Sequence, residues 1–261
     1  MSAGDWIGRD LGTRTVAWDE SDAILYALAV GARADQLDLV FEDRLRVLPT
    51  FALTLAQWAP DVLADAGAWQ VGKALHGAQR LEMLSPLPSA GRTELTARVA
   101  NVWDKGAAAI FDVEVRSEQF VATWSIFAPG EGGFGGERGP SSAPRSDDAP
   151  ERMADVVLAP NAAALYRLTG DRHHIHIDPH AAAAIGQPGP IMQGLATLGA
   201  AVLPLAQLAG AHPADLVELS GRFSAVVLPG ETMTVGTWPQ GRFEVTAPQG
   251  VAIAAGHVRF A

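Results

Sequence analysis

Cysteine is absent from the 261 residues. Its absence excludes a disulfide scaffold, thiol catalysis and thiolate metal sites, and it agrees with a reducing compartment. Positive charge is scarce as well. Nineteen Lys and Arg stand against 29 Asp and Glu, a formal net charge of -10, and Lys73 and Lys105 are the sole lysines. A nucleic-acid binder would carry a basic patch, so no nucleic-acid partner is expected. The first six residues, Met1 to Trp6, are acidic and polar where a secretory leader would be basic and then apolar, and a cytoplasmic protein is expected. The stretch Ile191 to Ala209 carries no charge and approaches the ~20 apolar residues that would span a membrane. Gln193, Thr197, Pro204 and Gln207 interrupt it and no basic cluster flanks it, so no membrane partner is expected. It reads instead as a helix that is apolar all round because it is buried on every side.

Hydrophobic residues make up 48% of the chain, enough for a substantial core. One boundary stands out in the middle. From Pro129 to Pro150 the sequence runs through Gly132-Gly133-Phe134-Gly135-Gly136 into Ser, Pro, Arg and paired Asp, with no apolar period. This divides the chain into residues 1–128, a linker at 129–152, and residues 153–261. The halves read alike. Each opens on a short helix, around Asp22 to Ala29 and Asn161 to Leu168, with Asn161 placed to act as an N-cap. Each continues into four strands: 79–84, 94–102, 108–115 and 120–127 in the first half, then 216–223, 232–237, 242–246 and 251–260 in the second. In the last strand Val251, Ile253, Ala255 and His257 share a parity. A helix followed by an antiparallel sheet, occurring twice, predicts two copies of one α+β unit.

The chemistry is concentrated in the second half. Asp171 and His176 stand five residues apart, between Gly170 and the Asp178-Pro179 break, and the uncharged helix opens downstream at Ile191-Met192-Gln193-Gly194. A carboxylate and an imidazole beside a helix N-terminus can add or remove water next to a carbonyl: the pair moves the proton and the helix end stabilises an enolate oxygen. The first half has Phe51-Ala52-Leu53 where the second has its long helix, and it lacks any Gly-Asp-x4-His. Catalysis is therefore expected from the second half and part of the substrate pocket from the first.

Tyr26-Ala27-Leu28-Ala29-Val30-Gly31, Leu48-Pro49-Thr50, Leu75-His76-Gly77, Pro86-Leu87-Pro88, Asp104-Lys105-Gly106 and the Gly132 to Gly136 run resemble one known family. So do Tyr166 to Pro179, Gly194-Leu195-Ala196-Thr197-Leu198-Gly199, Arg222-Phe223 and Pro229-Gly230-Glu231-Thr232. No motif of this set is specific alone; their order and spacing carry the resemblance, which is to the MaoC-like hydratases. Within them it is to the two-domain enoyl-CoA hydratase 2 of peroxisomal multifunctional enzyme type 2. The resemblance implies an α+β double hot-dog fold, two long helices wrapped by one curved sheet, and reversible (R)-specific hydration of trans-2-enoyl-CoA. It implies Asp171 and His176 as the catalytic pair, the Gly194 backbone N–H as oxyanion donor, and acyl-CoA contacts at His76, Gly77, Lys105 and Phe223. Arg172 and His173 line the site in the same loop. Apart from CoA, which arrives in the substrate, it implies no cofactor. Two positions depart from the family: His173-His174 replaces its Asn-Pro, and Gln193 stands where His commonly precedes the oxyanion glycine.

Blander readings stand beside these. Asp171 after Gly170 also suits an ordinary Asx turn. His173, His174, His176, Asp178 and His180 are dense enough to suggest a metal site, and alternation would bring His174, His176 and Asp178 to one side; convergence on one point is what zinc demands, and no metal is expected. Lys105 is favoured to meet the polyanionic CoA, with Arg172 and Arg80 as further cations. Phe51, Leu53, Leu55 and Trp58 read as core, with an acyl tunnel as the alternative. Exposed sheet edges predict tight apposition of the halves and a homodimer. Two rival functions remain: a hot-dog acyl-CoA thioesterase, and a non-catalytic acyl-CoA-binding protein.

Overall fold

In a computed structural model, which describes residues 1–70, 72–141 and 148–261, ten strands form one antiparallel sheet around a single long helix. The strands are β1 (Asp10–Trp18), β2 (Leu75–Met83), β3 (Gly91–Asp104), β4 (Ala108–Arg116), β5 (Phe120–Pro129), β6 (Arg152–Val157), β7 (Leu216–Phe223), β8 (Thr232–Thr237), β9 (Arg242–Ala247) and β10 (Gly250–Phe260). The helices are α1 (Glu20–Ala29), α2 (Leu37–Val40), α3 (Ala52–Ala56), α4 (Trp58–Asp65), α5 (Ala162–Tyr166), α6 (Pro179–Ala184) and α7 (Gly194–Ala209). The sheet order is β1-β3-β4-β5-β2-β7-β10-β9-β8-β6. Taken inward from either edge, the order of the first five strands is repeated by the last five. The expected repeat is therefore present, and the seam is the antiparallel pairing of β2 with β7. There Leu81 faces Leu219 across the seam, both almost fully buried.

Alternation explains why most strands were visible in the sequence. In β4, Phe111, Val113 and Val115 are buried while Ile110, Asp112 and Glu114 are half-buried, and β5 repeats the period with Phe120, Ala122, Trp124 and Ile126 inward. The two strands without a sequence signal, β1 and β6, are the two edges of the sheet. Both are mostly exposed, so backbone pairing holds them without an apolar period, and β6 begins inside the stretch assigned as linker. The shared parity expected in β10 also fails. Ala255 is exposed with φ at 50°, and the register shifts between Ala254 and His257, a bulge that moves the buried set to Gly256 and Val258.

The remaining linker is only partly described, since residues 142–147 lie outside the described set. Its glycine run is anchored. The Asp104 carboxylate accepts hydrogen bonds from the backbone N–H groups of Gly133 and Gly135 at 2.9 and 2.8 Å, and from Gly106 at 2.8 Å. These donors hold the Asp104 carboxyl down at about 2.

The halves diverge in their central helix. The second has the uninterrupted α7, charge-free and buried through Ala206 before its last turn surfaces. The first was expected to carry a long helix too, but it is broken into α3 and α4 at Gln57. Pro60 supplies the reason: it lacks an N–H and its ring clashes with the carbonyl four residues back, at Ala56. Asn161 occupies the N-cap position of α5 without a side-chain capping bond. The opening helices α1 and α5 pack together, with the Tyr26 and Tyr166 rings 6.0 Å apart and both fully buried. Tyr26 in turn presses on α7 at Gly199, where a Cβ would fall 2.6 Å from its hydroxyl and 2.8 Å from Val30 Cγ1. Gly199→Ala should therefore destabilise the protein by roughly 1–3 kcal/mol through overpacking, against about 1 kcal/mol recovered in helix propensity. Urea unfolding measures this, and a midpoint equal to or above wild type would show that Tyr26 and Val30 yield.

Candidate functional site

Gly170 ends the short helical segment after α5 with φ at 133°, a backbone that a side chain would strain. Asp171 follows. Its Oδ1 accepts the His173 N–H at 3.1 Å, so the Asx-turn reading is correct; its Oδ2 remains free and stands 3.7 Å from His176 Nε2. The turn thus orients the carboxylate toward the imidazole. Arg167 donates to the His173 carbonyl at 2.7 Å, His173 Nδ1 accepts the Ile175 N–H at 3.4 Å, and residues His174–His176 form one 3-10 turn. Asp178 then caps α6, accepting from His180 N at 2.8 Å with Pro179 at the first helical position.

The second fastening joins this loop to the strand-like segment before α7. Ile191 N–H donates to the Ile175 carbonyl at 3.1 Å, and His176 Nδ1 lies 2.8 Å from the Ile191 carbonyl. A carbonyl only accepts, so Nδ1 carries the proton and the neutral ring keeps Nε2 as a base turned toward Asp171. Burial lowers the His176 pKa below its ordinary value and the Asp171 charge opposes that shift, leaving the ring neutral at pH 7.

Gly194 is the first residue of α7, so its N–H has no partner within the helix. Phe223, at the end of β7, packs beside the Gly194 Cα: a Cβ at 194 would lie 3.3 Å from the Phe223 ring. His76 packs edge-on against the other side of Phe223, ring centroids 4.8 Å apart, with its Nε2 donating to the Ala78 carbonyl at 3.1 Å. Burial pushes the His76 pKa down to about 4. Gly77 sits 3.3 Å, from a would-be Cβ, to the Ser125 carbonyl.

These groups open onto one cavity of about 1360 Å³ lying between the two halves. Asp171, His176, Gly194, His76, Gly77, Lys105, Arg172, His173 and Phe223 all line it. Lys105 stands at its far side, where its ammonium donates to the Arg138 and Pro140 carbonyls, beside the loop pinned by Asp104. Arg80 does not join them. It faces Glu82 and Glu218 at 3.9 and 3.6 Å and borders a separate small groove beside His257. Phe51, Leu53, Leu55 and Trp58 do not line the cavity, and the core reading of all four holds, with Leu55 half-buried. The histidine cluster does not converge: among the described residues no three His, Asp or Glu side chains are placed to share a metal ion. Gln193 is buried, with Nε2 donating to the Ala163 carbonyl at 3.2 Å, so it supports the start of α7 from behind.

Several lining residues had no sequence signal. Trp69, Trp103 and Trp124 enlarge the apolar wall, and Gln57 and Asp61 reach in from the first half; Arg222, quoted in the Arg222-Phe223 motif but given no site role, adds a cation beside Phe223. Asp61 is open to solvent at the rim, where partial desolvation and then the Asp171 charge raise its carboxyl. Nitrogen-15 NMR tests the geometry of the pair. At pH 7, Nδ1 of His176 should be protonated and Nε2 not, with a midpoint below 6.5. Asp171→Asn should lower that midpoint further by removing the charge that favours the imidazolium. A wild-type midpoint at or above the ordinary value would contradict the arrangement.

Comparison with known proteins agrees in both halves. Residues 17–128 match the model of the MFE-2 hydratase 2 N-terminal domain, and residues 141–258 match the MaoC like domain. Enoyl-CoA hydratase ChsH3 of Mycobacterium tuberculosis is 38% identical over 90% of this chain and 88% of its own. Peroxisomal enoyl-CoA hydratase 2 of Arabidopsis thaliana is 32% identical over 86% and 82%. A crystal structure of a MaoC-like dehydratase from Phytophthora capsici superposes with a TM-score of 0.89 at 24% identity, covering 99% of this chain and 97% of the other. A Mycobacterium tuberculosis protein described as a double hotdog fold superposes over 99% of this chain and 97% of its own, with a TM-score of 0.58 at 13% identity. The architecture is the expected α+β double hot-dog.

Proposed function

Because this chain belongs to the MaoC-like enoyl-CoA hydratase 2 family and is a hydro-lyase, we propose that it hydrates trans-2-enoyl-CoA reversibly to (3R)-3-hydroxyacyl-CoA. The observation that carries this reading is the pairing of two proton acceptors, Asp171 Oδ2 and His176 Nε2, 3.7 Å apart, in one cavity with the free N–H of Gly194. Two acceptors facing each other cannot bond directly. A water between them donates one proton to each, and its oxygen lone pairs are left for C3 of the enoyl group.

The step then balances simply. The water oxygen bonds to C3 as the pair takes its proton, the C2–C3 π electrons move onto the thioester oxygen, and the pair returns a proton to C2 on the same face. Gly194 N–H, with the positive end of α7 behind it, stabilises the enolate oxygen. The helix start is well suited to this because Gly194 has no Cβ to crowd the Phe223 ring beside it, and the residue lines the cavity. His76, Gly77 and Phe223 form the wall against which the thioester lies, and Lys105 and Arg172 meet the polyanionic CoA. His173 lines the site in place of the family's Asn. We read residues 1–128 as the pocket-forming half and 153–261 as the catalytic half, joined through 129–152, with CoA entering as substrate and no further cofactor. Among the described residues no helix is long and apolar enough to cross a membrane.

The test follows the ultraviolet absorbance of the enoyl thioester, with chiral analysis of the product. Wild type should consume a trans-2-enoyl-CoA and yield the (3R) alcohol, and Asp171→Asn should lower kcat by about 10²–10⁴-fold. Release of free thiol would instead indicate a thioesterase. Tight binding of acyl-CoA with no turnover would indicate a binding protein.

A further inference from the structure

We propose that Gln57, from the first half, is a positioning residue of the hydration site, its carboxamide donating a hydrogen bond to the oxygen that is added at C3. This rests on the hydratase reading above. Gln57 occupies the break between α3 and α4 that Pro60 enforces, so it belongs to neither helix and its side chain is turned toward the second half. There its amide nitrogen packs on Gly170, the residue before Asp171, so close to where a Cβ at 170 would lie that any side chain there would push the amide aside. Glycine at 170 is required by its φ of 133°, and the absence of a side chain leaves the Gln57 amide its place.

Gln57 also borders the cavity together with Asp171, His173 and His176. Its carboxamide makes no hydrogen bond with any described residue, although the residue is half-buried. Its neighbour Trp58 is buried, with the Arg14 guanidinium 4.6 Å from the ring centroid, which fixes the chain at the break. An anchored, half-buried amide with unused donors at the substrate surface is suited to hold a ligand atom.

The chemistry supplies that atom. A water that donates one hydrogen bond to Asp171 and one to His176 has two lone pairs on its oxygen. One attacks C3, and the other needs a donor that does not compete for the water's protons. A neutral amide N–H meets this requirement over the whole pH range, whereas Asp61 at the rim offers only acceptors when ionised. In the dehydration direction the same amide would hold the departing hydroxyl.

Gln57→Met and Gln57→Ala, assayed with a trans-2-enoyl-CoA alongside thermal unfolding, separate this role from simple packing. Methionine keeps the length and bulk over Gly170 but has no donor. We expect both variants to lose about tenfold in kcat, with KM changed less than about threefold and the unfolding midpoint of Gln57→Met close to wild type. If Gln57→Met turns over like wild type, the amide is only a spacer and the proposal is overturned. A loss confined to KM would overturn it as well. No turnover by the wild-type protein itself would overturn the hydratase reading and the proposal with it.

Discussion

His176 gives its Nδ1 proton to the Ile191 carbonyl at 2.8 Å, and much of the site depends on that bond. It selects the tautomer, leaving Nε2 as a base. It also draws the loop of residues 171–178 onto the segment that leads into α7, so the base and the Gly194 N–H are set by the same short stretch of chain. Burial lowers the ring's pKa and the nearby carboxylate limits the fall, which keeps the imidazole neutral without removing its affinity for a proton. The loop itself is stiffened by local bonds, Asp171 to His173 N–H and Arg167 to the His173 carbonyl.

The duplicated architecture gives this loop its surroundings. Two five-stranded halves of one sheet, matching in strand order, meet at β2 and β7, and residues of both halves line the cavity. The two copies have separated in role through small changes. In the second, an uninterrupted α7 presents its N-terminus to the cavity. In the first, the corresponding helix is broken at Gln57, whose amide reaches Gly170 beside the loop of residues 171–178. The first half also supplies Lys105, placed by a turn and a glycine loop that share the Asp104 carboxylate.

Much of this was legible in the residues, and the exceptions have physical causes. Strands with one buried face, such as β3, β4 and β5, announce themselves by alternation. β1 and β6 do not, because an edge strand is held by backbone bonds and buries little. Ala255 broke its expected parity because a bulge costs no characteristic residue in the sequence. The candidate site segment was legible because Gly170, Asp171, His176 and Asp178-Pro179 each do local work that spacing reveals. Gln57 and the three cavity tryptophans act only across the fold, and no local pattern marks a residue whose partner lies far away along the chain. Arg80 shows the converse. Its charge suggested a ligand contact, but β2 turns it toward Glu82 and Glu218.

The most direct measurement is a crystal structure with a saturated acyl-CoA that cannot be hydrated, at a resolution that shows water. The thioester oxygen should lie on the Gly194 N–H, with C3 facing the gap between Asp171 Oδ2 and His176 Nε2, and an ordered water should bridge those two atoms. A thioester lying away from the start of α7, or an acyl chain that leaves C3 remote from the Asp171–His176 pair, would contradict the proposed chemistry.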